Sequence, residues 1–181
     1  VTDSHTSDGT GSGAFTSSIT GLQANTRYYV RAYATNSAGT AYGNEIVFDT
    51  NPIVIPTVTT TAASSMTLTT AVSGGNVTSS GGASVTARGV CWSTSTNPTI
   101  AGSRTNNGTG TGPFTSNLTD LQPGTTYHIR AYATNSAGTG YGDDLTFTTQ
   151  ATIPTLSTTA ASSFTTTSAA SGGNITSNGG A

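Results

Sequence analysis

Along most of this chain, apolar side chains alternate with polar ones in short runs that Gly, Asn, Ser and Pro interrupt. No stripe with the 3.6-residue period of a helix accompanies them. A period of two is typical of strands that bury one face, and it predicts an all-β antiparallel sandwich of roughly seven short strands. Strands are predicted at 57–61, 66–72, 86–93, 113–119, 126–135 and 144–149. Turns are predicted at 73–76, 80–82 and 106–108.

Two blocks of the sequence occur twice. Residues 31–40 return unchanged as 130–139, an offset of 130 − 31 = 99, and residues 13–22 match 112–121 at the same offset. Residues 55–83 return with substitutions as 153–181, an offset of 154 − 56 = 98. The lost residue falls between Phe48 and Pro56, where a linker tolerates it. The offsets predict the later part of one repeat at 1–51, a complete repeat at 53–150 and the start of a third at 152–181.

The clearest local signature is the segment 121–133, Leu-Gln-Pro-Gly-Thr-Thr-Tyr-His-Ile-Arg-Ala-Tyr-Ala. It resembles the corner and F strand of a fibronectin type III module. The resemblance implies that Leu121 and Tyr127 anchor a tyrosine corner, whose hydroxyl returns to the backbone a few residues upstream. Leu22 and Tyr28 hold the same places in the first copy. The tryptophan usual on strand B of that family is absent, and Trp92 falls on the predicted strand C.

The period-two pattern also assigns faces along 126–135. Inward positions are Tyr127, Ile129, Ala131 and Ala133, and outward positions are His128, Arg130, Tyr132 and Thr134. Both copies keep an outward arginine and tyrosine, which are Arg31, Tyr33, Arg130 and Tyr132. One hypothesis is an exposed strip that binds a ligand or a neighbouring molecule. The alternative is a cross-strand ladder that stiffens the sheet.

Composition excludes several partner classes. Only 7% of the residues are charged, the net charge is −2 and there is no lysine, so no basic field is available to hold nucleic acid or an anionic bilayer. No apolar run approaches the roughly 20 residues that cross a membrane, so we expect no membrane insertion in this segment. The one cysteine, Cys91, cannot form an intramolecular disulfide. Cys91 and Trp92 point to opposite faces, which favours a covered, unreactive thiol for Cys91, with interchain pairing as the alternative.

The repeats allow candidate catalytic residues to be tested by comparing the copies. A catalytic residue should be the same in each copy, and the histidines are not. His128 is matched by Tyr29, and His5 by Arg104. No Gly-x-Ser-x-Gly elbow, Asp-x-Asp loop or Cys/His cluster is present. We therefore expect no enzyme, no catalytic residue, no cofactor and no metal ligand set, with a weak calcium site near a linker as the alternative.

The amino-acid sequence of the repeats is similar to that of modules in very large cell-surface proteins of the Bacteroidota. The similarity is carried by the segment 88–99 and by the motif Tyr-Ala-Thr-Asn-Ser-Ala-Gly-Thr. That resemblance implies export, an extracellular or cell-surface location and a role in a stalk, fibre or adhesin shaft. The expected partners are neighbouring repeats or copies of the chain, and host or environmental surface glycans or proteins. The alternative function is a binding module, for glycans or for self-association through sheet edges or completion of half-domains.

Overall fold

The computed structural model describes residues 3–180, and every regular element in that range is a β-strand. Residues 1–2, at the start of the first predicted segment, and residue 181, at the end of the third, lie outside the described residues. The chain divides into two compact units, 1–53 and 54–181. The second unit holds both the predicted complete repeat and the start of the next, and the boundaries inferred from the repeat offsets stay predictions.

The first unit consists of two antiparallel strand pairs. One pair joins the first and last strands of the unit, and the other is a hairpin formed by the two strands that lie between them in the sequence. The strands are β1 (Arg27–Val30), β2 (Tyr33–Asn36), β3 (Gly39–Tyr42) and β4 (Ile46–Asp49), paired β1 with β4 and β2 with β3.

The second unit contains a two-sheet sandwich followed by a hairpin. In the sandwich the strands are β5 (Thr57–Ser64), β6 (Ala71–Ser79), β7 (Ala87–Ser93), β8 (Ser103–Arg104), β9 (Gly112–Leu118), β10 (Thr126–Asn135), β11 (Gly138–Tyr141) and β12 (Leu145–Thr148). One sheet has the order β5-β6-β9, and the other has the order β11-β10-β7-β8, with β12 also on β10. The hairpin that follows pairs β13 (Thr155–Ser162) with β14 (Ala170–Ser177).

An apolar core lies between the two sheets. It is centred on Val90, Leu118 and Ile129, none of which has measurable exposed surface. Two antiparallel sheets packed face to face over such a core form an immunoglobulin-like β-sandwich. The predicted all-β fold class is confirmed.

The predicted position of the second strand is wrong. The pattern predicts a strand at 66–72 and a turn at 73–76, whereas β6 occupies Ala71–Ser79 and continues through the predicted turn. Gly74 and Gly75 resemble a turn signal in the sequence, but in the structure they lie within the strand and allow close packing against it. A Cβ on Gly75 would lie 2.5 Å from Ala131 Cβ, and one on Gly74 would overlap the carbonyl oxygen of Phe114. The actual bend precedes β6, where the N–H of Thr67 donates to the Thr70 carbonyl at 2.8 Å.

The close packing at Gly74 leads to a testable asymmetry. Gly172 holds the corresponding place in the third segment, and a Cβ there would meet nothing within 4 Å. We expect Gly74→Ala to lower the free energy of unfolding of the sandwich by about 1–3 kcal/mol, because strand β9 must shift. Gly172→Ala is the matched control and should change it very little. Urea unfolding followed by the fluorescence of the single tryptophan, Trp92, measures both variants, and equal stability would contradict the argument.

Candidate functional site

The predicted interaction strip begins with an arginine that is engaged along the sheet. Arg130 is half-buried on β10, and its Nε donates to the carbonyl oxygen of Gly142 at 2.9 Å. Its guanidinium carbon lies 4.7 Å from the ring centre of Tyr141, which is cation–π geometry. In the first unit Arg31 makes the same two contacts, with the Gly43 carbonyl at 2.9 Å and the Tyr42 ring at 5.0 Å.

The tyrosine of the strip is covered in the complete repeat. Tyr132 is only 3% exposed, so the prediction that it faces solvent is wrong. Its hydroxyl donates to the Thr105 carbonyl at 2.7 Å, which ties β10 to the chain that follows β8. Gly89 makes room, since a Cβ there would lie 2.9 Å from Tyr132 Cε1. Burial also raises the pKa of Tyr132.

Tyr33 repeats the contact of Tyr132 in the first unit, where its hydroxyl donates to the Thr6 carbonyl at 2.7 Å. Arginine and tyrosine are therefore used alike in both copies, in contacts between neighbouring chain segments. Such contacts are those of a cross-strand ladder. Arg31 is exposed and Tyr33 is half-buried, and a binding role for the strip stays a prediction.

The corner residues join the sheets at one end of the sandwich. The Tyr127 hydroxyl accepts a hydrogen bond from the backbone N–H of Gln122 at 2.9 Å, and the Tyr127 ring stacks on Phe147 at 5.6 Å. Leu121 is 2% exposed, and its N–H donates to the Thr69 carbonyl at 3.0 Å. This is the geometry of a tyrosine corner.

The first unit has the same corner. Tyr28 accepts a hydrogen bond from the Gln23 N–H at 2.8 Å and stacks on Phe48 at 5.8 Å. Leu22 and Tyr28 are both half-buried there.

Asn135 has a structural role that the alternation of apolar and polar positions does not predict. Asn135 is 5% exposed, and its Nδ2 donates to the carbonyls of Val54 at 2.7 Å and Ser80 at 2.8 Å. Its Oδ1 accepts the N–H groups of Ala137 and Gly138, which closes the hairpin into β11. Asn135 thus holds together three segments, which are the start of the repeat at Val54, the turn that begins at Ser80 and its own hairpin. The repetition of Asn36 in the same motif was the available signal.

The histidine of the complete repeat also has a structural role. His128 Nδ1 lies 3.1 Å from Asp144 Oδ1, and Asp144 Oδ2 accepts the Asn97 N–H at 2.7 Å. The pair therefore holds the loop after β7 against the sheet. Within residues 3–180, no group of three or more His, Cys, Asp or Glu side chains is arranged to hold a metal ion.

Cys91 lies inside the protein, on the face of β7 opposite Trp92. It has no exposed surface, because the loop containing Pro98 covers it, and its Sγ lies 3.3 Å from the Pro98 carbonyl and 3.4 Å from that of Arg130. Burial raises the pKa of the Cys91 thiol to about 11. The thiolate is the reactive form, so the geometry favours the covered, unreactive thiol.

A shallow groove of about 570 Å³ opens beside the covered tyrosine. Its walls combine polar and apolar side chains, and they include Ala87, Ile100, Arg104, Asn106, Tyr132 and Thr134.

The strand order decides the kind of sandwich. A three-stranded β5-β6-β9 sheet faces a sheet in which β10 lies between β7 and the final strand pair β11 and β12, and a tyrosine corner precedes β10. The fold is fibronectin type III-like. The residues described above are those that hold a sandwich of this fold together.

Solved structures include similar chains. The sensor domain of the anti-sigma factor RsgI4 from Pseudobacteroides cellulosolvens is 18% identical with a TM-score of 0.39, covering 54% of this chain and 97% of that one. The FN1–FN3 domains of chicken CNTN1 are 22% identical with a TM-score of 0.42, covering 71% of this chain and 42% of that one. Domains A168–A170 of titin are 15% identical with a TM-score of 0.42, covering 72% and 43%. This chain thus spans less than half the length of the latter two.

No protein family matches the sequence, and no curated protein matches it either. The part of the chain that the structure describes contains no helix long and apolar enough to cross a membrane.

The clamp predicts that Asn135→Asp strongly destabilises the complete repeat. A carboxylate would face the Val54 and Ser80 carbonyls with no proton to donate, so we expect the free energy of unfolding to fall by more than about 2 kcal/mol. Asn117→Asp, the same exchange at an exposed position of β9, is the control and should cost far less. Thermal and urea unfolding measure both, and similar losses in the two variants would rule out the clamp.

The covered thiol predicts a pH dependence. The folded-state pKa is raised to about 11 from the ordinary 9.0, so the unfolded state loses this proton first as the pH rises. Stability that the buried thiol contributes is fully present below pH 9.0 and is lost as the pH approaches about 11. Urea unfolding across this range should therefore show a steeper decline in the parent than in Cys91→Ser, whose hydroxyl does not titrate there. Parallel profiles would show that Cys91 is not buried as described.

Proposed function

We propose that this chain is a structural segment of an extracellular stalk, fibre or adhesin shaft built from tandem sandwiches. One observation carries the proposal: the copies keep the contacts that hold the fold and exchange the residues that could do chemistry. The arginine–tyrosine stack and the tyrosine corner recur with nearly the same distances at the same offset. His128, in contrast, is replaced by Tyr29. This is the expected outcome when the scaffold itself is the function.

The physical properties of the repeats suit a spacer. Each sandwich is about 30 Å long, from strands of about eight residues at 3.3 Å each. The linker segments 51–56 and 150–154 both contain proline, which limits their bending. Because only 7% of the residues are charged, stability should depend little on salt. Display at a cell surface follows from the resemblance to Bacteroidota surface modules and belongs to the proposal.

A second candidate function is self-association, and exposed apolar faces favour it. In the third segment Leu156 is 65% exposed and Ile175 is 69% exposed, whereas their counterparts Val58 and Val77 are 7% and 2% exposed in the complete sandwich. In the first unit Ile19 is 44% exposed, although its counterpart Leu118 is fully buried. These faces are surfaces that the rest of a repeat covers, whether that rest comes from the same polypeptide or from a second copy.

Force spectroscopy on the 181-residue chain, held at its two ends, tests the spacer function. The complete 98-residue repeat should unfold in one event that lengthens the chain by about 300 Å, from an extended length of about 3.4 Å per residue less the folded sandwich. A force-resistant event of that size supports the proposal. Gradual extension without it would contradict a mechanical role for the repeat.

Sedimentation over a range of concentrations tests the second candidate. If the exposed faces bind a second copy, the parent chain should form oligomers, and Ile175→Asp should shift it toward the monomer. Thr176→Asp, at an exposed position beside it, is the control. A parent that stays monomeric at every concentration would rule out self-association of this chain. Glycan binding would then be the remaining form of the binding-module alternative.

A further inference from the structure

The hairpin of the third segment is exposed along its strands and covered only at the turn that follows them. Every residue of β13 and β14 is exposed. Among the described residues 151–180, only Gly179 is buried and only Gly180 is half-buried. The cover at this turn therefore distinguishes it from the rest of the hairpin.

The two glycines are covered by different parts of the chain. Gly179 packs inside its own segment, where a Cβ would overlap the Thr152 carbonyl. The complete repeat does the same with Gly81 and Val54, so this contact belongs to the module. Gly180 instead meets the preceding repeat.

The contact of Gly180 is with the corner of the complete sandwich. A Cβ on Gly180 would lie 2.6 Å from Pro123 Cβ, and a Cβ on Gly124 would overlap the Gly180 carbonyl oxygen. Real Cβ atoms do not approach so closely, so only glycine admits this contact from either side. Gly124 and Gly180 have φ angles of 61° and 93°, which also favour glycine.

We propose that the Pro123–Gly124 corner of the complete repeat is a docking surface for the glycine turn of the third segment, and that this joint fixes the orientation of these two modules. The inference deepens the proposed spacer function and rests on it. The partner is the backbone of a following module of the same kind. Because the contact is made by backbone and a proline ring, without charged groups, salt should not open it.

Both sides of the joint are anchored to their own modules. On the corner side, the Gly124 N–H donates to the Gln150 carbonyl at 3.0 Å, and Tyr127 holds the Gln122 N–H. On the turn side, the Thr152 N–H donates to the Gly179 carbonyl at 2.8 Å. Two rigid surfaces in contact transmit orientation, which a proline-containing linker alone does not fully impose.

The first repeat supplies a suitable test substitution. At the place of Gly124 it carries Asn25, with a φ of 51° against 61°. The corner backbone therefore accommodates asparagine, and Gly124→Asn should leave the sandwich folded while its side chain occupies the docking surface. Asn25→Gly is the reverse exchange and the matched control.

The experiment measures the spread of distances across the joint in the full chain. Spin labels are placed at Thr146→Cys on β12 and Thr159→Cys on β13, both exposed, in a Cys91→Ser background. Pulsed dipolar spectroscopy should give a narrow distance distribution in this parent and in Asn25→Gly. In Gly124→Asn the distribution should be at least about twofold broader, because the linker then behaves as a flexible tether. Urea unfolding reported by Trp92 should be unchanged.

A second variant covers the case in which Gly124→Asn unfolds the sandwich. Gly180→Asn fills the same contact from the hairpin side and leaves the corner untouched, so it should broaden the distribution as well. A parent distribution as broad as that of the variants would overturn the docking surface, and narrow distributions in all variants would show that the glycine contact does not set the orientation. Either result concerns the joint alone, whereas failure of the spacer function would appear as loss of the single unfolding event under force.

Discussion

Burial of the middle strand β10 between its neighbours is the constraint on which the rest of the second unit depends. Ile129 and Ala131 have no exposed surface, since β7 pairs with one edge of β10, β11 and β12 pair with the other, and the facing sheet covers its inner side. The close packing of β10 also restricts which residues the facing sheet can carry. Gly75 must lack a side chain because Ala131 lies against it. The corner at Tyr127 then fixes where β10 begins, and the clamp at Asn135 fixes where it ends.

Hydroxyl and amide groups take the place that ion pairs hold in many proteins. The described residues contain one arginine–aspartate pair, between the exposed Arg27 and Asp49, and such surface pairs contribute little. Threonine does more, as when the Thr60 hydroxyl accepts the N–H of Ala131 and donates to the Asp143 carbonyl at 2.7 Å. Within the described residues, no buried side-chain nitrogen or oxygen lacks a hydrogen-bond partner. Stability that rests on such uncharged hydrogen bonds should depend little on ionic strength.

Repetition lets the copies be compared residue by residue, and the comparison separates structure from chemistry. Arg31 and Arg130 stack on equivalent tyrosines, so the same contact within the sheet recurs in both copies. Asn25 and Gly124 differ, and Gly124 lies at the surface where the third segment is proposed to dock. A contact made by backbone atoms does not require particular side chains, so the types of residue at the joint do not reveal it. It is recognised because a Cβ atom at Gly124 or Gly180 would clash with the other side.

Local periodicity and internal repetition are enough to predict the fold class, the repeat offsets and the opposite faces of Cys91 and Trp92. The corner residues follow instead from the resemblance of the segment 121–133 to a fibronectin type III corner. The sequence pattern misplaced β6 and the exposure of Tyr132. Gly74 and Gly75 resemble a turn locally, and Tyr132 occupies an outward register position that the chain around Thr105 then covers. These features become visible in the folded structure alone, as do the clamp at Asn135 and the contact of Gly124 with Gly180. Each depends on which distant segments come together, and side-chain periodicity carries no information about that.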